Sequence, residues 1–479
     1  MDDPKQAVLR ARTVTRRQIG RATAVLGAGA AAVALGLPAA ARAQGATPAA
    51  SPMASPAARP LPTFTADASI TSWGFGAEET NPMAFSRIDA FKSAYPSIKL
   101  ELVAQFDDQK LLTGFAAKQL PDILWMDRFK IGSWAARGVL QPIDDLVKQA
   151  GIDLSKYYPA AIEEASYNGK LYALPGFMDV RALYVNLDAL KEIGQDPAGV
   201  NNGDWDQLND LSAKLVKSDN GSVSRWGLDN KLQANNIWLW GAANGASFIS
   251  DDGKTVTFND PKVVDTLTWG VKNYDVQGGY ASYSAVASTW QGDEQFARAQ
   301  VAMTVYENWM LGIVASVAPK LNFQVMPVKK HGDDGMVSFS GGPAWCLPTG
   351  AANVEAAWTF IQYMDNLATW RVGAQAVKDY QHKAGGPYIP SLTANREADQ
   401  MQIDELYESI GAQFDAAVKL WPQILDQSQN RPISKSPAAA QLDDILTTDG
   451  VKPALSKDKS PKDALDAANT AAQDAIDSL

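Results

Sequence analysis

Residues 169–188 read GKLYALPGFMDVRALYVNLD. Leu171, Ala173, Leu183 and Val185 recur with the period of two that marks half-buried strands, Pro175-Gly176 interrupts them with a bend signal, and Asp188 stands at a helix start. Two readings fit this pattern. One is a chain crossing from one lobe to another; the other is a corner between two strands of a single large domain.

The remainder of the chain bears on that choice. A length of 479 residues exceeds what one hydrophobic core usually supports, so two lobes are expected. Hydrophobic residues at 46% and charged residues at 20% describe a folded globular chain. Residues 1–43 carry seven of the 43 Lys and Arg and two of the 53 Asp and Glu, which leaves 36 basic against 51 acidic side chains, a net of −15. Such a surface repels nucleic acid and anionic lipid, and no basic stripe overrules it. Partners are therefore neutral or cationic unless a local arginine dictates otherwise.

At the N-terminus Thr15-Arg16-Arg17-Gln18-Ile19-Gly20 precedes a small, apolar run from Ala22 to Leu37, followed by Pro38 and Ala41-Arg42-Ala43. This is a basic region, an apolar region and an A-x-A cleavage site, with the paired arginines that Tat export reads. The alternative is a membrane anchor, but the run is Ala- and Gly-rich and shorter than the roughly 20 residues that span a bilayer. Residues 1–43 are accordingly expected to be a Tat-type signal peptide of an exported protein at the periplasmic or outer face of the membrane. Residues 44–64, rich in Pro, Ala and Ser, are a linker that cannot bury a core. The single cysteine, Cys346, lies far from the signal, so it neither takes a lipid anchor there nor forms an internal disulfide.

From Thr65 strands and helices alternate. Ser69 to Phe75 reads as a strand, Asn81-Pro82 as the start of a helix to about Tyr95, Ile98 to Val103 as a second strand, Asp108 to Lys118 as a helix, and Pro121 to Asp127 as a buried strand. The order predicts a mainly parallel, doubly wound sheet, in which ligands sit at the carboxyl ends of strands. Position therefore selects Trp73, Phe75, Glu78, Glu79, Asp127 and Phe129. Further on, Asp204 and Asp260-Pro261 open helices, Gln300 to Val305 is a strand ending at Tyr306-Glu307-Asn308-Trp309, and Asn322 to Met326 is a strand that stops at Pro327. Gly341-Gly342-Pro343 allows close backbone approach, and the chain beyond Arg396 is helical.

The order of motifs resembles one family across nearly the whole chain, the sugar-binding type of extracellular solute-binding protein (family 1) that serves ABC importers. The resemblance rests on PDILWMDRFKIGSWAARGVLQPIDDL (121–146), GKLYALPGFMDVRALYVNLDALKEIG (169–194), DWDQLNDLSAKL (204–215), FARAQVAMTVYENW (296–309) and GGPAWCLPTGAANVEAAWTFIQYM (341–364). It implies an α/β, two-lobed type II periplasmic-binding-protein fold with an interlobe cleft and multiple hinge crossings. The first crossing matches Leu174 to Asn186, and a later one falls near Val325 to Val328. Lobe 1 then comprises 65–178 and 328–378, and lobe 2 comprises 179–327 and 379–479. The chain departs from many relatives in lacking a lipobox cysteine and in its heavy use of tryptophan.

A sugar presents an apolar face and a ring of hydroxyls, so its site needs aromatic platforms beside Asp, Glu, Asn, Gln or Arg. Fourteen tryptophans meet the first need, although most are expected in cores. Motif position ranks Trp309 and Trp345 first, then Trp73 and Trp125, then Trp238, Trp240 and Trp290; Trp205, Trp269, Trp358 and Trp370 sit at helical positions. Asp127 and Asp179 are the best hydroxyl acceptors, with capping or a solvated turn as the competing role. Asn308 and Glu307 follow a strand, and Gly341 and Gly342 with Phe177 line the same region. Arg181, if it points inward, stacks on a ring or pairs with a carboxylate, which favours a uronate-containing ligand; the competing role is pairing with a neighbouring acid such as Asp179.

Paired carboxylates across a cleft also suit a glycoside hydrolase, yet no residue pattern separates a general acid from a nucleophile. His331 and His382 stand in no Ser-His-Asp or zinc-ligand spacing, and no phosphate loop is present. The expectation is a monomeric, non-enzymatic receptor without cofactor or metal that binds a small carbohydrate and docks on an importer's membrane subunits. A secreted carbohydrate-cleaving enzyme, a receptor for a non-sugar solute, and a sensory receptor are the alternatives.

Overall fold

A computed structural model describes residues 59–219, 222–290 and 292–479. The expected signal peptide and most of the expected linker lie outside the described residues. In chain order the strands are β1 (Ala68–Trp73), β2 (Ile98–Val103), β3 (Ile123–Asp127), β4 (Ser166–Tyr167), β5 (Lys170–Leu171), β6 (Ala173–Pro175), β7 (Asp179–Asn186), β8 (Lys217–Asp219), β9 (Ser222–Asp229), β10 (Val301–Glu307), β11 (Phe323–Met326), β12 (Val328–Lys329), β13 (Met336–Gly341), β14 (Pro343–Cys346) and β15 (Ser428–Gln429).

The first sheet has the order β2-β1-β3-β14-β6. β1 runs parallel to β2 and β3, whereas β14 is antiparallel to β3 and β6. The second sheet follows β12-β13-β7-β10-β9-β8, with β11 also on β7 and β15 on β13. Here β7 is antiparallel to β10, β11 and β13, while β9–β10 and β13–β15 are parallel. Parallel pairing therefore holds for β1 to β3, β9–β10 and β13–β15, and both sheets are mixed, not mainly parallel as expected. Strand β14 enters the first sheet directly from the second, without a helical crossover, and so runs the opposite way.

The helices begin where the sequence places them. Asn81 Oδ1 accepts from Ala84 N at 3.3 Å ahead of Pro82–Ala94, and Asp260 Oδ1 accepts from Lys262 N at 2.9 Å ahead of Pro261–Asp275. Ser460 caps Pro461–Asp477 in the same manner. These side chains satisfy orphan N–H groups, and the following Pro gives up a donor that the helix does not need.

Strand β7 is buried on both faces. Val180, Ala182 and Tyr184 join the core that continues through Ile70, Phe91, Ile123, Leu124, Phe323 and Phe414. Leu183 and Val185 join a second core with Leu208, Leu228, Trp240, Leu267, Met303 and Leu465. Its alternation therefore separates two interiors, not an interior from solvent.

The chain passes from β6 in the first sheet to β7 in the second through residues 176–178, within the expected first crossing. The return differs from expectation. Strands β11 and β12 both pair inside the second sheet, with β7 and β13 respectively, so Pro327 only marks a change of partner and the sheet changes at Gly342. The C-terminal division is also corrected. Leu367, Trp370, Tyr388, Ala398, Met401 and Leu406 share one cluster, and the Arg87 guanidinium lies 3.8 Å from the Trp370 ring centroid, which keeps residues 379–406 with the helices of the first sheet. The helix Ala412–Asp426 then packs Phe414 on Phe323, at 5.0 Å, against the second sheet. A third passage thus lies between Leu406 and Ala412. Among the described residues no helix is long and apolar enough to cross a membrane.

Candidate ligand-binding site

Strand ends and crossings meet along one seam. β3 ends at Asp127, in register with Pro343; β7 starts at Asp179, in register with Gly341; β10 ends at Glu307, in register with Arg181. Arg181 is 7% exposed, donates to Asp179, and places Nη2 2.9 Å from Glu307 Oε1. Its guanidinium also lies 4.1 Å from the Phe339 ring centroid. Burial works against the charge, and Asp179 and Glu307 outweigh it, so the guanidinium is held more firmly protonated than usual. Arg181 thus takes the competing role, pairing with its neighbour Asp179 and with Glu307. A Cβ at Gly341 would sit 2.9 Å from Asp179 Oδ1, so only glycine lets β13 lie this close to the ion pair.

The aromatic side of the seam is layered. Trp125 and Trp345 have ring centroids 4.1 Å apart, and Phe75 lies 4.9 Å from Trp345 and 5.6 Å from Trp125. Trp345 is 2% exposed, so it supports Trp125 from beneath and is not itself a platform, a correction to its high ranking. Phe75 is buried in the same stack, whereas Trp125 keeps a partly exposed edge. Gly176 makes room, since a Cβ there would stand 2.5 Å from Trp125 Cη2.

Other expected residues divide between seam and core. Trp309 is partly exposed and meets Tyr306 edge-on at 5.0 Å. Phe177 is partly exposed on the first crossing, and Asp127 is exposed. Trp73 is partly exposed beneath the Lys110 ammonium, 4.3 Å from its ring centroid; Glu78 and Glu79 are exposed in the loop after β1. Asn308 is buried, and its Oδ1 accepts from Val180 N at 3.1 Å, which clips β10 to β7. Trp238 and Trp240 are core residues: both are fully buried, with Nε1 donating to Asp443 at 3.0 Å and to the Asn230 carbonyl at 2.8 Å. They lie on the helix Ile237–Ala243, not at a strand end.

Sequence reasoning missed a second group. Strand β9 ends at Asp229, whose carboxylate lies 2.8 Å from Lys231 Nζ and accepts from Tyr274 and Tyr283 at 2.9 and 2.5 Å. Burial opposes ionisation of Asp229, and Lys231 with the hydrogen bonds from Tyr283 and Gln233 outweighs it, which leaves the carboxyl below its ordinary range. Lys231 has a left-handed backbone (φ 57°) and sits 5.0 Å from the Tyr306 ring centroid, while Tyr306 donates to Asp293. Lys231, Asp293, Gln295, Thr304 and Tyr306 line a narrow surface depression here. The strand-end rule that selected Asp127 reaches Asp229 as soon as β9 is recognised. Arg128, Phe339 and Arg431 carry no such signal. Arg431 lies between Phe129 and Phe339, 4.5 and 5.8 Å from their ring centroids, and the three meet only in the folded chain. Among the described residues no group of His, Cys, Asp or Glu is placed to hold a metal ion.

Two α/β lobes joined by three passages, with aromatic rings and carboxylates gathered where they join, define a two-lobed binding protein. The profile of the bacterial extracellular solute-binding proteins matches residues 80–366, and the chain belongs to that family. It is 22% identical over 332 residues to the maltotriose-binding protein of Pyrococcus abyssi (strain GE5 / Orsay), covering 68% of this chain and 67% of that one. It is 28% identical over 289 residues to the sn-glycerol-3-phosphate-binding periplasmic protein UgpB of Shigella dysenteriae serotype 1 (strain Sd197), covering 55% of this chain and 63% of that one. The solved ABC substrate-binding protein Lmo0181 from Listeria monocytogenes, in complex with cycloalternan, superposes with a TM-score of 0.68 at 19% identity, over 86% of this chain and 99% of that one.

Proposed function

We propose that the protein is an exported receptor that binds a neutral mono- or oligosaccharide between its lobes and delivers it to an ABC importer, without cleaving it. In this reading the lobes are residues 59–176 with 343–407, and 179–341 with 412–479. The paired arginines and A-x-A site near Ala43 serve Tat export, and the receptor acts as a monomer.

One observation supports the choice of ligand above others: partly exposed rings of Trp125, Phe177 and Trp309 share the seam with the carboxylates of Asp127, Asp179 and Glu307. Rings receive the apolar face of a sugar, and carboxylates accept from its hydroxyls. The two relatives bind maltotriose and sn-glycerol-3-phosphate, and the charge of the seam favours the first kind of solute. A phosphate needs cationic donors that are not already engaged. Arg181 is held by Asp179 and Glu307, Arg128 by Glu164, and Arg431 by Asp443. Hydroxyls suit this acidic surround, and an added anion does not.

Calorimetry with a panel of neutral mono- and oligosaccharides, a uronate and glycerol-3-phosphate tests the reading. Binding of at least one neutral saccharide is expected. Tight binding of glycerol-3-phosphate with no response to any saccharide rejects it.

A further inference from the structure

Arg128 follows β3 and is completely buried, so it is out of reach of any solute in the seam. Its polar atoms are directed instead at the backbone of two crossings. Nη1 donates to the Phe177 carbonyl at 2.6 Å, Nη2 donates to the Gly341 carbonyl at 2.8 Å, and its own N–H donates to the Gly342 carbonyl at 3.1 Å. Nε faces Glu164, with Oε2 at 3.2 Å, close enough to compensate the charge although the pair is not aligned as a hydrogen bond.

These contacts join parts of the chain far apart in sequence. Phe177 belongs to the passage from the first sheet to the second, and Gly341-Gly342 to the return. The two passages touch: Gly342 has φ 125°, and a Cβ on it would stand 2.3 Å from the Phe177 carbonyl oxygen and 3.0 Å from Arg128 Nη1. Burying a guanidinium is costly unless its charge is met and its donors are satisfied. Glu164 lies against the charge, and the crossings accept one hydrogen bond from each Nη. Lysine, with one ammonium in place of a planar fork, does not reach two carbonyls in this geometry.

We propose that Arg128 is the positioning residue of the hinge: by stapling the first crossing to the return crossing it makes the two bend as one ribbon, so that the lobes swing about a fixed axis. The inference does not depend on which solute is bound. Asp127 and Phe177, both at the seam, are next to the clamp in the chain or bonded to it, so a solute that engages them acts on the same hinge.

The test uses the full chain without ligand, labelled at Glu101→Cys and Lys214→Cys, both exposed and flanking the two sheets. The distribution of distances between the labels is recorded with thermal unfolding in parallel. The clamped protein is expected to give one narrow distribution, and Arg128→Lys to widen it roughly twofold while the unfolding transition stays cooperative. Should Arg128→Lys fail to fold, Gly342→Ala replaces it, since this variant keeps the arginine and displaces the crossing from it, with the same widening expected. A folded variant whose distribution matches the parent overturns the proposal. Because no sugar is present, that result leaves the carbohydrate reading intact, and failure of saccharides to bind leaves this comparison intact.

Discussion

Arg181 Nη2 lies 2.9 Å from Glu307 Oε1 across the antiparallel β7–β10 pair, while Nη1 is bonded to Asp179 two residues away on its own strand. One cation thus bridges two carboxylates at the seam and leaves the group with a net charge of −1. Arg181→Ala removes the cation and leaves the acids. It is expected to cost about 2 kcal/mol or more in stability, read by chemical denaturation, and to weaken saccharide binding roughly tenfold, read by calorimetry. A dissociation constant equal to that of the parent makes Arg181 a structural residue only.

Two tryptophans separate platform from core. Trp240 is fully buried with its N–H satisfied, so Trp240→Ala is expected to lower stability by about 3–5 kcal/mol. Trp309 is partly exposed, and Trp309→Ala is expected to lower affinity by about 1 kcal/mol or more while the thermal midpoint moves little. The reverse order of effects contradicts the placement of the site.

Gly176 carries a steric prediction. Its hydrogen faces Trp125, and a methyl group there would overlap the ring. Gly176→Ala is expected to push Trp125 off Trp345, shift the intrinsic tryptophan emission, and cost about 1–3 kcal/mol. Unchanged emission and stability would show that the ring pair tolerates the methyl.

Asp399 gives a pH signature. It is buried, accepts from Thr393 N at 2.6 Å and from Tyr158 Oη at 3.1 Å, and has Arg396 nearby. Burial pushes its carboxyl up to about 8, more than the hydrogen bonds and Arg396 pull it down. The folded state therefore holds the proton more tightly than the unfolded chain. The stability this group contributes is full below the ordinary carboxylate range near pH 4 and is lost as pH rises to about 8. Urea unfolding from pH 4 to 8 is expected to show a downward component that Asp399→Asn flattens; an identical slope in both proteins excludes Asp399 as its source.

Much of the first sheet could be read directly, because β1 and β2 carry local alternation, β3 is a short apolar run, and the helices between them start with Asn or Asp. Strand β7 was legible as a strand but not as a wall between two cores, since period two looks the same in both settings. Pro327 misled for a physical reason: a proline ends a ladder whether the chain leaves the sheet or only changes partner. Trp238 and Trp240 misled because a tryptophan's N–H finds its partner in three dimensions, here Asp443 and the Asn230 carbonyl. Asp127 was selected by its place at the end of β3, and Asp179 and Arg181 by their place on the first crossing. Arg128 was not, as its partners Phe177 and Gly341 are backbone carbonyls 49 and 213 residues away.

The three passages also govern how the molecule can be taken apart. Each lobe is assembled from separated lengths of the gene, so neither can be produced as one continuous polypeptide or exchanged between relatives as a cassette. A protease nick at any one passage makes two separate polypeptides, each carrying part of a lobe whose remainder lies on the other, so the pieces are held together only by packing.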